Sequence, residues 1–194
     1  MAYICFMDFE TDIKSCVETL HKRGIILYPT DTIWGIGCDA TRSDAVDKIL
    51  KLKKRDDKTG LIVLLADERD LLQYVSHLHP GIMEFLESAK KPTTVIYDGM
   101  IGLAENLSVD GTIAIRVVRD PFCKQLIKRF RRPIVSTSAN ISGQPSPKFF
   151  TEISSAIKNG VDYVVGYRQD DFSIHEASSI VKFFNDGTVK TIRS

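Results

Sequence analysis

The chain has 194 residues, 43% of them hydrophobic, and its charged residues (26%) nearly cancel, to a formal net charge of +1. That length and apolar share suit one compact domain, residues 1–194, with a sizeable core. The charge balance excludes nucleic-acid binding by bulk electrostatics and leaves only local basic patches for it.

Strand-like and helix-like patterns alternate along the sequence. Ile13, Cys16, Val17 and Leu20 sit at i, i+3, i+4 and i+7 of a first helix, with Gly24 as its stop. Ile25 to Tyr28 reads as a strand. Val46, Ile49 and Leu50 mark one face of a second helix, capped by Thr41 or Ser43. Leu61 to Leu65 is a continuous apolar run, short enough for a buried strand. Asp67 to Val75 and Pro80 to Ala89 read as helices, Thr93 to Tyr97 and Thr112 to Val117 as strands. Asp120-Pro121 opens another helix, a cap followed by proline in the first turn, with Phe122, Leu126, Ile127 and Phe130 as its apolar stripe. A strand from Ile134 runs into STSANISGQPSP, a helix covers Thr151 to Lys158 and is closed by Gly160, and Val161 to Val165 is a strand. The chain finishes with a hairpin signature, SSIVKFF and TVKTI around Asn185-Asp186-Gly187. This α/β alternation with an antiparallel ending predicts a twisted mixed sheet flanked by helices. Ligands in such sheets sit beyond strand ends, where three polar loops lie: PTDT after Tyr28, Val118-Arg119, and STSAN after Val135.

No window approaches the roughly 18 consecutive apolar residues of a membrane span, and no leader peptide is evident, so a cytoplasmic protein is expected. Cys5, Cys16, Cys38 and Cys123 form no CxxC pair and read as reduced thiols. The four histidines have no metal-ligand spacing. GIGCDA, Gly35 to Ala40, fits G-x-G-x-x-A, but six residues separate it from the strand end, so the glycines serve tight turning or close approach to a neighbour. Neither a P-loop nor GxSxG occurs. KLKKRDDKTGL, Lys51 to Leu61, leaves a helix for a loop. Its lysines and arginine either form a solvated face or converge on a polyphosphate. STSANISGQPSP offers hydroxyls, an amide and backbone N–H groups, either a plain turn or an anion cradle. Arg116, inside the apolar strand TIAIRVV, faces solvent or anchors a carboxylate. KQLIKRFRR, Lys124 to Arg132, is the best candidate for RNA contact, although its amphipathic pattern favours a solvated surface helix.

Together these motifs resemble the YrdC-like family, the threonylcarbamoyl-AMP synthases, in order and spacing over most of the chain. YPTDTIWGIGCDA is similar to the family's Y/F-P-T-[DE]-T-x-[YW]-G-[LI]-G, and Lys53 and Arg55 to its K-x-R. TIAIR is similar to its strand ending in Arg, STSANISGQPSP to its S-A-N-x-S-G-x-x-S-P loop, and ASSIV with Arg193 to its closing segments. The resemblance implies a twisted α/β fold around a deep, positively lined cavity. It implies nucleotidyl transfer: L-threonine, bicarbonate and ATP condensing to threonylcarbamoyl-AMP and pyrophosphate. Mg²⁺ would accompany ATP, and partner transferase proteins would then modify adenosine 37 of tRNA. By resemblance, Lys53 and Arg55 are catalytic. Lys53, Arg55, Thr59, Ser138, Asn140, Ser146 and Arg193 bind ATP, and Thr32, Arg116, Ser136 and Ser178 bind threonine. No carboxylate cage for the metal is evident, although Asp31 or Asp39 could act through water. The sequence departs from the family pattern at Asp56, at Lys90-Lys91-Pro92-Thr93, at Leu64, at Ala177 and at the Arg193-Ser194 ending. Two further readings fit the same residues. One is an RNA-binding or ribosome-associated module, meeting tRNA or double-stranded RNA. The other is a related enzyme with a different amino-acid or carbamoyl substrate.

Overall fold

The computed structural model describes residues 9–55, 60–184 and 186–193. Among these residues nine strands form one mixed sheet in the order β7-β1-β2-β6-β3-β5-β4-β8-β9. In chain order they are β1 (Ile26–Tyr28), β2 (Gly35–Gly37), β3 (Ile62–Leu65), β4 (Thr93–Asp98), β5 (Thr112–Val117), β6 (Ile134–Ser138), β7 (Tyr163–Val164), β8 (Ser179–Phe183) and β9 (Val189–Arg193). The pairs β1/β7, β3/β5 and β4/β8 are parallel and the rest antiparallel. Among the described residues six α-helices accompany the sheet: α1 (Glu10–His21), α2 (Ser43–Lys53), α3 (Leu71–Tyr74), α4 (Ile82–Ser88), α5 (Pro121–Phe130) and α6 (Ser155–Gly160). No helix among the described residues is long and apolar enough to cross a membrane.

The apolar periodicities bury as the sequence predicts. Ile13, Cys16 and Leu20 of α1 and Phe122, Leu126, Ile127 and Phe130 of α5 are buried, and the two helices pack on one another. Phe9 meets the Phe122 ring edge-on at 5.4 Å between centroids. Asp120 caps α5 by accepting from the Cys123 N–H, with Pro121 in the first turn, where its missing N–H costs nothing.

Other local readings change. The left-handed residue after α1 is Arg23 (φ 60°), not Gly24, which stays compact because Thr19 leaves no room for a side chain. The residue before α2 is Arg42, extended and without a side-chain cap, in place of Thr41 or Ser43. Thr41 instead closes a turn on the Asp39 carboxylate. The helix expected over 67–75 divides into a 3-10 turn, Glu68–Asp70, and the short α3, and that expected over 151–158 into a 3-10 turn, Phe150–Glu152, and α6.

The largest change is β2. GIG is neither a turn nor a dinucleotide loop but a strand between β1 and β6, with Ile26 opposite Gly37 and Gly35 opposite Ser138. The glycines are there for close approach. A Cβ on Gly37 would lie 2.6 Å from both Tyr28 Cε1 and the Val135 carbonyl oxygen, and one on Gly35 would lie 2.9 Å from Ser136 Oγ. Gly37→Ala is therefore expected to destabilise the fold by about 3 kcal/mol, seen as a fall in Tm of roughly 6–12 °C. An unchanged thermal transition would show that the sheet absorbs the methyl group.

Candidate functional site

The same strands carry a cavity at one end. It lies where β6 finishes and β3 begins, has a volume of about 220 Å³, and takes its walls from both halves of the sheet. The PTDT turn contributes Thr32, β2 contributes Gly35, and β6 contributes Ser136 to Ser138. Arg116 comes from β5, Ser178 from the residue before β8, and Arg193 from β9. Arg55 and Ser146 complete the polar lining, and Trp34, Ile62 and Ile180 supply apolar wall. Three guanidinium groups and no carboxylate line the cavity among the described residues, so its field favours anions.

Arg116 points inward, not to solvent. It is 2% exposed and donates from Nη1 to Thr32 Oγ1 (3.2 Å). Its Nη2 lies 3.2 Å from Asp31 Oδ1, an ion pair by distance without hydrogen-bond alignment, while its Nε has no acceptor. A buried guanidinium with an unused donor is prepared for a further anionic partner. Ser178 is fixed twice: its hydroxyl meets Thr94 Oγ1 (2.8 Å), and its carbonyl accepts from Arg193 Nε (3.2 Å) and Nη2 (2.8 Å). Ser178 closes a strap, residues 165–178, that leaves β7 at one edge of the sheet and re-enters it far across at β8. Asp12 accepts from the Gly166 and Tyr167 N–H groups at the start of that strap. Arg168 then ties it to the Thr30 carbonyl and to Asp120.

Of the residues expected to bind ligand, Thr32, Arg55, Arg116, Ser136, Ser138, Ser146, Ser178 and Arg193 meet in this one cavity. Thr59 lies outside the described residues. Lys53 and Asn140 do not line the cavity, which corrects the picture of Lys53 facing phosphate. Lys53 is the last residue of α2 and is 1% exposed. Its ammonium donates to the carbonyls of Ser138 and Asn140 (2.7 Å for the latter) and to Asn140 Oδ1 (3.2 Å). All three protons are used, and the Lys53 carbonyl in turn accepts from Ser142 N–H (2.9 Å). Lys53 thus stitches the STSAN loop to α2 and leaves Arg55 to face the cavity. Asn140 continues the stitching, taking the Ser138 hydroxyl proton on Oδ1 and donating to the Gln144 carbonyl. Toward the cavity the Ser138 hydroxyl can only accept. Burial, and then the Arg55 charge, pull Lys53 down to about 8 from its ordinary 10.5. Loss of its proton removes one stitch. Any turnover at this cavity is expected to decline on the alkaline side with an apparent pKa near 8, read from a pH–rate profile; a profile flat to pH ~10, near the ordinary lysine value, would contradict this.

The third polar loop is not part of the site: Arg119 donates to the Leu86 and Ala89 carbonyls at the end of α4. Cys16, Cys38 and Cys123 are buried and their thiols pushed up, chiefly by burial, so none is a poised nucleophile. Both acidic candidates lie beside arginine. Asp31 lies against Arg116, and Asp39 is held by Arg132 (2.9 Å) and the Thr41 turn. No cluster of three or more potential metal ligands exists among the described residues. Arg129 of α5 pairs with Glu10, while Lys128 of α5 and Arg131 and Arg132 after it line a groove at the opposite end of β3 and β6 that also holds Asp67 and Asp70.

Residues 18–194 match the Sua5/YciO/YrdC family, which carries the description Telomere recombination. The chain belongs to this family. A Threonylcarbamoyl-AMP synthase from Saccharophagus degradans is 34% identical over 158 residues, 79% of this chain and 82% of that protein. Among solved structures, E. coli YciO superposes with a TM-score of 0.80 at 21% identity, covering 95% of this chain and 89% of that one. P. abyssi Sua5 in complex with L-threonine also gives 0.80, at 20% identity. The match covers 95% of this chain but only 54% of the Sua5 chain, so this chain spans about half the length of that protein. At such identities the structural likenesses establish the fold alone. The Sua5/YciO/YrdC fold is thus the frame in which β2, β5, β6 and the strap bring the cavity together.

Several lining or supporting residues lay outside the sequence reading of the site, among them Thr94, Trp34 and Gly60. Thr94, in a strand rich in β-formers, gave no signal there. Trp34 was legible only as the [YW] position of the YPTDT segment, and its ring packs on Phe150 at 4.9 Å between centroids. Gly60, with φ +71°, lies where a Cβ would meet Arg55 Nη1 at 3.2 Å.

Proposed function

We propose that the protein is an L-threonylcarbamoyladenylate synthase, a nucleotidyltransferase that condenses L-threonine, bicarbonate and ATP to threonylcarbamoyl-AMP and pyrophosphate. The observation that carries this reading is the meeting, in one cavity, of Arg116, Thr32 and Ser178 with Arg55, Ser146 and Arg193. The first group suits an amino acid and the second a polyphosphate. The synthase name borne by relatives of similar length supports it.

In this reading the threonine carboxylate takes the unused donor of Arg116, and the triphosphate lies toward Arg55 and Arg193. The ammonium and bicarbonate give a carbamate, one water and one proton. A carbamate oxygen then attacks the α-phosphorus, forming a P–O bond as the bond to pyrophosphate breaks. Such a displacement calls for alignment and charge stabilisation, not a covalent nucleophile, which suits a site with no histidine or cysteine among its described lining residues. The described carboxylates do not build a metal cage, so Mg²⁺ would come with the ATP phosphates it neutralises. The product would pass to transferase proteins acting on tRNA in the cytoplasm.

The test is pyrophosphate release. The account expects release only when ATP, L-threonine and bicarbonate are all present. Release with a different amino acid in place of threonine would favour a related enzyme. RNA binding with a steep salt dependence and no release would favour a binding module.

A further inference from the structure

Two hydroxyls of the cavity, those of Ser178 and Thr32, are not free rotors, and two residues that do not line it set which way their protons point. Thr94 is 0% exposed in β4, and its hydroxyl makes a single hydrogen bond, the 2.8 Å contact with Ser178 Oγ. If Ser178 were the donor, the Thr94 proton would be buried without an acceptor, a cost that native structures avoid. Thr94 therefore donates, and the Ser178 proton is left for the cavity that Ser178 lines.

Thr32 is fixed in the opposite sense. Thr30 Oγ1 donates to the Ile33 carbonyl (2.8 Å) and accepts from the Thr32 N–H (3.0 Å). The 2.9 Å contact between the two threonine hydroxyls must then carry the Thr32 proton. Thr32 Oγ1 also receives Arg116 Nη1–H, so the chain runs one way, from Arg116 through Thr32 and Thr30 to the Ile33 carbonyl. Such a directional series reinforces itself. Toward the cavity Thr32 retains one lone pair and no proton.

We infer that Thr94 and Thr30 are positioning residues that polarise the amino-acid end of the cavity, making Ser178 a hydrogen-bond donor and Thr32 an acceptor. This rests on the proposed synthase reading. The Ser178 donor, in the cavity that Arg116 also lines, suits the substrate carboxylate, and the Thr32 acceptor suits an N–H or O–H of the same molecule. A small ligand with an anionic end and a donor end is thereby selected over one with two acceptor ends.

The test uses Thr94→Val, which keeps shape and strand propensity while deleting the hydroxyl. The KM for L-threonine in pyrophosphate release should rise about three- to tenfold, with kcat and the KM for ATP unchanged. Thr94→Ser should restore the wild-type value. Because Thr94 acts through Ser178, Thr94→Val added to Ser178→Ala should cost nothing further, whereas a merely structural role would add its own loss. A wild-type KM in Thr94→Val, or additive losses in the double variant, overturns the inference and leaves the synthase reading intact. No threonine-dependent release from the wild-type protein overturns both.

Discussion

Arg116→Lys is expected to lower threonine-dependent turnover by about a hundredfold, while affinity for ATP stays within about twofold. Lysine keeps the positive charge but replaces a planar fork of donors with a point charge. The Nη1 bond to Thr32 and the unused Nε, both fixed by the burial of Arg116 in β5, cannot be reproduced together from one ammonium. The substrate carboxylate loses its guanidinium donor, and Thr32 loses the donor at the head of its hydroxyl chain. Calorimetric titration of L-threonine and of ATP into the variant separates the two effects. Equal weakening of both ligands would mean that Arg116 holds the fold and not the amino acid.

Lys53→Met should have the second large effect, and of a different kind from Arg55→Ala. Lys53 makes three charge-assisted bonds to Ser138 and Asn140 in a place that is 1% exposed, and methionine fills the volume but satisfies none of the acceptors. A loss of about 3 kcal/mol in stability is expected, together with near-complete loss of turnover as the STSAN loop leaves its position. Arg55 lines the cavity, so Arg55→Ala should abolish turnover with a smaller change in Tm than Lys53→Met. Thermal unfolding beside the turnover assay distinguishes them. Inactive but fully stable Lys53→Met would return Lys53 to the role of a ligand contact.

These two residues also mark how far the sequence could be read. Arg116 was legible because a charge in an apolar strand admits only two fates, and strand alternation kept both open until the sheet placed its neighbours. Lys53 was legible as part of a basic run at a helix end, yet composition says nothing of where an ammonium goes. Folding sent it inward, onto carbonyls 85 and 87 residues away in sequence. The helices with strong apolar periodicity, α1, α2 and α5, could be placed from residue types alone. β2 could not, because three residues with two glycines show neither alternation nor β-propensity, and its strand state is imposed by β1 and β6 on either side. Arg23 and Arg131 hold left-handed conformations where glycine is usual, so a glycine search for helix ends misses both. Thr94 was invisible as a positioning residue because its role depends on a partner 84 residues away.

The most direct test of a shared cavity is to follow the carbon. The protein is incubated with ATP, L-threonine and labelled bicarbonate, and the nucleotides are separated. The account predicts label in an adenylate that also contains threonine, formed in step with pyrophosphate. Pyrophosphate appearing with no label in any adenylate would show that the amino-acid and nucleotide ends of the cavity do not act on one another, and would contradict the account.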